Sequence, residues 1–371
     1  MSAPLAILAT GGTGGHMFPA EALARALLQR GWRVALITDR RGQAFSEKFP
    51  GVAVHSIPAG RLGAGLAQKA MGLVELALGT LAAGKLLRSL RPAVAIGFGG
   101  YPSLPTMLAA TRQRIASLVH EQNALLGRAN RLLAPRVSRI ATSFPSVGGM
   151  READAARAVC TGNPVRQEVA QHRASPYAAP SETLNLLVTG GSQGARILST
   201  VIPEALASLP LELRARVKLA QQARPEDVER VREAHRASGI DAEVAPFFHD
   251  LPARLAAAHL VIARSGASTV AELCVMGRPA ILVPYAAAAD DHQSANARAL
   301  SEAGAAWVMA EADFTPAALA ARLAELMTAP DKLAAAAAAA RSLGRPEAVE
   351  RLADLVIDCA GANGAARERA A

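Results

Sequence analysis

One local pattern occurs twice in this chain and limits what it can fold into. An apolar run is followed by a glycine-rich turn and then by a helical pattern, first at Ala9-Thr-Gly-Gly-Thr-Gly-Gly-His16 and again at Val188-Thr-Gly-Gly-Ser-Gln-Gly-Ala195. Each copy opens a half in which short apolar runs alternate with amphipathic stretches. The runs at 5–9, 33–37, 53–57, 93–96, 116–119 and 139–141 read as buried strands, with helices over 20–29, 67–87 and 104–111. The second half repeats the scheme, with strands over 184–188, 217–219, 242–244, 260–262, 280–283 and 306–308. Strand–helix alternation requires parallel strands with helical crossovers. The sequence therefore predicts an α/β protein with two Rossmann-like domains, 1–163 and 164–344. The turn residues Gly162-Asn-Pro-Val165 stand at the break, and a last amphipathic helix covers about 345–360 before a Gly/Ala/Arg tail from Gly361.

Composition narrows the function. With 371 residues, 51% hydrophobic and 19% charged, the chain has ample material for two cores. Aromatics are only 4%, which argues against a protein that stacks single-stranded bases. The net charge of +9 admits nucleic acid or anionic lipid as partners, but the basic residues are scattered and not blocked, so nucleic acid is not expected. Three cysteines without a C-x-x-C suggest neither disulfides nor a zinc site. No signal peptide or membrane-spanning helix is expected. The most apolar stretch, 64–87, is interrupted by Gln68, Lys69, Glu75 and Lys85.

A glycine-rich turn at a helix N-terminus presents backbone N–H groups to phosphate. The first turn is not a dinucleotide fingerprint, because Met17 stands where G-x-G-x-x-G needs Gly or Ala. The second is not a P-loop, because no G-K-[ST] follows it.

Seven segments in order resemble the MurG family of peptidoglycan glycosyltransferases: Gly11-Gly-Thr-Gly-Gly-His16 with Pro19, Gly99-Gly-Tyr101, His120-Glu-Gln-Asn123, Gly162-Asn-Pro-Val-Arg166, Gly190-Gly-Ser-Gln-Gly-Ala-Arg196, Arg264-Ser-Gly-Ala-Ser-Thr-Val-Ala-Glu272 and Asp291-His-Gln-Ser-Ala-Asn296. The resemblance runs to about residue 350. It implies a GT-B fold, with two Rossmann-like domains facing across a cleft and the last helix packing back on the first. It also implies an inverting transfer of N-acetylglucosamine from UDP-N-acetylglucosamine to a lipid-linked muramyl-pentapeptide at the cytoplasmic face of the bacterial inner membrane. Another GT-B sugar-nucleotide enzyme, a glycolipid glycosyltransferase or an epimerase, is the alternative.

The resemblance gives the residues roles, beside plainer readings. Thr13, Gly14 and Gly15 border the reaction centre. His16, at a helix start that favours neutral imidazole, is a candidate general base, or a residue that only caps or packs. Glu121 is the rival base. Asn123 contacts the donor, or merely turns the chain. Arg166 and Ser192 serve the diphosphate. Glu272 accepts hydrogen bonds from ribose, or closes a T-x-x-E capping box with Thr269. Phe248 aligns with the residue whose backbone reads uracil, and Gln293 with a donor-sugar contact. The segment Ala286-Ala-Ala-Ala-Asp290 is longer than in other members. No D-x-D occurs, and neither metal nor cofactor is expected. Residues 61–91 form either a core-packed helix or an apolar face resting on anionic membrane.

Overall fold

A computed structural model of the chain describes residues 3–11, 14–40, 49–59, 65–191 and 194–368, without the side chains at 14, 66, 67, 69, 289 and 363–368. Thr13, Ser192, Arg61 and Leu62 lie outside the described residues. Two compact units form, Met1–Val165 with Glu347–Ala371, and Arg166–Pro346.

The strands of the first unit are β1 (Leu5–Ala9), β2 (Arg33–Thr38), β3 (Ala53–Ser56), β4 (Val94–Gly97), β5 (Ala116–Glu121), β6 (Arg139–Thr142) and β7 (Ala158–Cys160). They form one sheet in the order β3-β2-β1-β4-β5-β6-β7, every pairing parallel. β1 and β4 are buried on both faces and read as unbroken apolar runs, whereas β5, equally buried, carries Ser117, His120 and Glu121. The seventh strand escapes sequence reading because it is a three-residue, half-exposed edge.

Helix α1 spans Gly14–Gln29, with Pro19 inside it. The expected start at residue 20 is corrected to Gly14, since one missing N–H near a helix start leaves the helix intact. Helix α2 spans Leu66–Leu90, α3 Ser103–Arg112 and α4 Arg128–Leu133. On one sheet face Leu87, Leu104, Met107 and Leu133 join the core. On the other, Leu23 and Leu27 of α1 pack with Leu352, Ala353 and Val356 of the terminal helix. Arg30 and Asp354 pair at 2.5 Å beside them. That helix runs from Ala348 to Glu368, so the expected end near residue 360 is corrected and the helix continues into the Gly/Ala/Arg tail.

Helix α2 has a core-packed side and an exposed apolar side. Its Thr80, Ala83 and Leu87 are buried. A Cβ on Gly79 would stand 2.1 Å from the Pro58 carbonyl oxygen, so only glycine permits that approach. On other sides Met71, Leu73, Val74, Leu78 and Leu81 are 53–65% exposed. By length and composition alone, Ala70–Leu90 could cross a membrane, but Ala83 and Leu87 on its buried side pack into the core of the first unit.

The second unit has β8 (Leu184–Thr189), β9 (Val217–Gln222), β10 (Asp241–Ala245), β11 (Leu260–Ala263), β12 (Ala280–Leu282) and β13 (Ala306–Val308), in the parallel order β10-β9-β8-β11-β12-β13. Leu186, Val188, Leu198, Ile202, Ile262 and Leu323 lie in its largest apolar cluster.

In both sheets the order reverses beside the first strand, between β1 and β4 and between β8 and β11. Connections on either side of such a point leave in opposite directions and open a crevice at the carboxyl ends of the strands. The loops placed there carry the motifs: after β1, β4 and β5 in the first unit, and after β8 and β11 in the second.

Candidate functional site

In the first unit, His16 is the third residue of α1 and is half-buried. Its ring lies against Gly99 and Gly100, both with positive φ (82° and 74°). A Cβ on Gly99 would sit 3.4 Å from His16 Cε1, and one on Gly100 3.6 Å from Nε2. The glycines thus serve a left-handed turn beside the imidazole, where a Cβ would make only ordinary contact with the ring. His16 Nδ1 lies 3.1 Å from Gln122 Oε1. Gln122 is buried, and its Nε2 donates to the Phe98 and His120 carbonyl oxygens at 3.0 and 3.2 Å. That nitrogen is also 3.0 Å from His120 Nδ1. Complete burial pulls the His120 imidazole down to about 4.

Glu121 is buried and each of its oxygens is engaged in the loop after β5. Oε1 accepts from the Asn123 backbone N–H and Nδ2 at 3.0 and 3.1 Å. Oε2 accepts from the Gly127 N–H and Asn130 Nδ2 at 2.9 and 2.8 Å. Four donors converge on this carboxylate, which holds Asn123 in place and caps the approach to α4. Gly14 and Gly15 form the first two residues of α1.

In the second unit, the turn after β8 demands glycine. A Cβ on Gly190 would stand 2.3 Å from the Ala195 nitrogen, and Gly191 and Gly194 have φ of 80° and 67°. Buried Gln222 ties this turn to the next loop. Its Oε1 accepts from Thr189 Oγ1 and the Gly190 N–H, and its Nε2 donates to the carbonyls of Gly191 and Pro246. Phe248 lies in the loop after Pro246, buried beneath the Arg254 guanidinium at 4.2 Å, while Phe247 beside it is 57% exposed.

The helices Arg196–Ala207 and Ala267–Met276 have Ala195 and Gly266 as their N-cap residues, and no described side chain caps either one. Their first N–H groups therefore suit an anion. The capping-box reading of Thr269 and Glu272 is overturned, because the helix starts at Ala267 and both residues lie inside it. Glu272 instead pairs with Arg166 through two hydrogen bonds, Nε to Oε1 at 2.8 Å and Nη2 to Oε2 at 3.0 Å. Burial pushes the Glu272 carboxyl up, against the pull of the guanidinium.

Gln293 enters the first turn of the helix His292–Glu302, and its Oε1 accepts from the Tyr285 N–H at 3.0 Å. That bond spans the long Ala286–Asp290 segment, where Asp290 and Asp291 adopt left-handed φ of 54°. Arg264 supports the same loop. It donates to the Val283 and Pro284 carbonyls, pairs with Glu311 and lies 5.2 Å from the Tyr285 ring centroid. Among the described residues, no group of three or more His, Cys, Asp or Glu side chains could hold a metal.

Sequence reasoning missed Gln122, Asn130, Gln222 and Arg264. Gln122 and Arg264 stood within quoted motifs, but single buried amides and buttressing arginines carry no pattern of their own.

Two parallel-sheet units with glycine-rich turns at their switch points, one bearing a half-buried histidine and the other uncapped helix starts with an Arg–Glu pair, define a GT-B sugar-nucleotide enzyme. Residues 6–142 match the glycosyltransferase family 28 N-terminal domain, and 185–352 match its C-terminal domain. The UDP-N-acetylglucosamine--N-acetylmuramyl-(pentapeptide) pyrophosphoryl-undecaprenol N-acetylglucosamine transferase of Rhodospirillum centenum is 56% identical over 97% of this chain and 96% of its own length. The transferase of that name from Caulobacter vibrioides is 51% identical over 95% and 98%. The crystal structure of Acinetobacter baumannii MurG superposes with a TM-score of 0.79 at 30% identity, covering 96% of this chain and 99% of that one. A UDP-GlcNAc 2-epimerase from Neisseria meningitidis, at 12% identity and a TM-score of 0.63, shares the fold. The chain belongs to the MurG family of glycosyltransferases.

Proposed function

We infer that the chain moves N-acetylglucosamine from UDP-N-acetylglucosamine to lipid I, the undecaprenyl-diphospho-muramoyl-pentapeptide, giving lipid II. The observation that carries this is identity above 50%, over nearly the whole length, with transferases named for that donor and acceptor. The reaction is a single displacement with inversion. The acceptor hydroxyl attacks the anomeric carbon, its proton passes to a base on the protein, and UDP departs with the bonding electrons.

His16 is the base. Its place at the N-terminus of α1 disfavours imidazolium, and a neutral ring can take the proton. Glu121 positions Asn123 and the loop after β5, since its carboxylate already serves four donors. The departing diphosphate is stabilised by the starts of the helices Arg196–Ala207 and Ala267–Met276, by Ser192 and by Arg166. The ribose hydroxyls take the two oxygens of Glu272, and Arg166 turns from that carboxylate to the phosphates. The Phe248 backbone reads uracil, while Gln293, Asn123 and the 13–15 turn contact the sugar.

The lipid-linked acceptor brings the enzyme to the cytoplasmic face of the inner membrane. The exposed side of α2 rests there, with Lys85 and Arg88 toward anionic headgroups.

Incubation with UDP-N-acetylglucosamine and a lipid I analogue should release UDP. His16→Ala should lower turnover about 10²–10⁴-fold with a smaller change in donor KM. A loss below about threefold at saturating substrates removes His16 from the base role.

A further inference from the structure

We propose that Gln122 and His120 are positioning residues that fix His16 in the tautomer with its proton on Nδ1, so that Nε2 is the nitrogen that takes the acceptor's proton. This rests on His16 being the base, and it extends that reading to two residues that touch no substrate.

The assignment follows from groups that can only accept. The Phe98 and His120 carbonyl oxygens lie 3.0 and 3.2 Å from one end of the Gln122 amide. A carbonyl cannot donate, so that end must be the NH₂ and the other end the oxygen. The His120 ring agrees with this orientation. Its Nε2 lies 3.1 Å from the Gly162 carbonyl oxygen, so Nε2 carries the proton. Its Nδ1 is then a lone pair facing Gln122 Nε2 at 3.0 Å, so it and the Phe98 and His120 carbonyl oxygens are three acceptors that share the two hydrogens of that amide. Complete burial keeps this ring neutral, so the acceptor persists at neutral pH.

With the amide oxygen fixed toward His16, the Nδ1 found 3.1 Å from it must be the donor. A neutral imidazole holds one proton, so Nε2 has none. Free imidazole side chains in water favour the opposite tautomer, with the proton on Nε2, and the protein therefore reverses an intrinsic preference. Gly100 lies beside this nitrogen, where a Cβ would stand 3.6 Å away. The arrangement does for the reacting histidine what outer-shell partners do for metal-bound ones, setting which nitrogen is available.

The experiment is nitrogen NMR on the full chain labelled with ¹⁵N-histidine, with the His16 signals identified by their loss in His16→Gln. In the parent, Nδ1 should be of the protonated type and Nε2 of the bare type. In Gln122→Met the pattern should move toward protonated Nε2, and turnover should fall about 10–100-fold with donor KM within about threefold. Gln122→Asn, too short to reach His16, should do the same if Gln122→Met does not fold. A parent His16 protonated on Nε2 overturns the proposal, as does a Gln122→Met spectrum unchanged from the parent. If the spectra behave as expected but His16→Ala keeps its turnover, the base assignment fails while the tautomer assignment stands.

Discussion

Glu272 is given a ligand role by family resemblance and a structural role by the fold, and one substitution can separate them. Glu272→Gln keeps the shape but removes the charge that Arg166 faces through two bonds of 2.8 and 3.0 Å. Breaking a fully buried pair costs about 3–5 kcal/mol, whereas an exposed pair contributes about 0–1 kcal/mol. The Glu272 side chain is 10% exposed and the Arg166 side chain 29%, so Arg166 can still find water when its partner is neutral. The expected cost lies between those limits, about 1–2 kcal/mol. At roughly 2–4 °C per kcal/mol for a unit of this size, the second unit should melt about 2–8 °C lower. That loss occurs whether or not ribose binds here, so stability alone decides nothing. The discriminating measurement is calorimetric titration of parent and variant with UDP and with 2′-deoxy-UDP. A hydrogen bond from ribose to a carboxylate contributes about 1.5–3 kcal/mol, so the parent should prefer UDP by roughly 10-fold or more. In Glu272→Gln the preference should shrink to within about threefold. An unchanged preference in the variant would refute ribose binding and leave Glu272 as the partner of Arg166 alone.

The other predictions concern membrane, metal and pH. Replacing Leu73, Leu78 and Leu81 of α2 together by serine should reduce sedimentation with anionic liposomes while leaving UDP affinity unchanged, and binding equal to the parent's would place the membrane contact elsewhere. Because the sequence has no D-x-D and helix starts are available for the diphosphate, turnover should persist in excess chelator, and restoration by magnesium or manganese after its loss would count against this site. The buried His120 imidazole titrates near 4, against about 6.5 for an unfolded chain. The unfolded state therefore takes up its proton first as pH falls. This contribution is full above about pH 6.5 and is lost toward pH 4, to the extent of about 3 kcal/mol. Denaturant titrations at pH 7.5 and 5 should show the loss, and His120→Leu should make the dependence shallower.

The fold was legible because its signals are local and repeated. Strands buried on both faces are mostly apolar, and the runs of β1, β4, β8 and β11 show it, while β5 carries the polar Ser117, His120 and Glu121 within its buried length. The two glycine-rich turns carry their own stereochemical demand, visible at Gly190, where any Cβ would meet the Ala195 nitrogen. What escaped reading lacked such a signal. β7 is three residues long at a sheet edge. The helical pattern over 20–29 begins after Pro19, whereas α1 starts at Gly14 and carries Pro19 within it. In the 64–87 stretch the charges argue against a membrane span and not against a helix, and Glu75 and Lys85 lie on exposed positions of α2 that interrupt neither its length nor its packing.

The site was legible to a different depth. Residue types suited to a task can be picked from motifs, and His16, Arg166 and Glu272 are candidates of that kind. Their partners were not, since a side-chain pair 106 residues apart has no spacing rule. Both pairs, His16 with Gln122 and Arg166 with Glu272, have that separation. The same blindness explains the two roles offered for Glu121. A carboxylate in a turn beside a candidate base looks like a second base until its hydrogen-bond donors are counted. With four donors already bound, taking a proton from substrate would require it to give up at least one of them in a buried setting, at a cost of about 1–3 kcal/mol for each polar group left unsatisfied. In His16 the hydrogen bond to Gln122 engages Nδ1, and the proton would go to the other ring nitrogen. The choice between the two bases thus rests on hydrogen bonding that only the folded chain reveals.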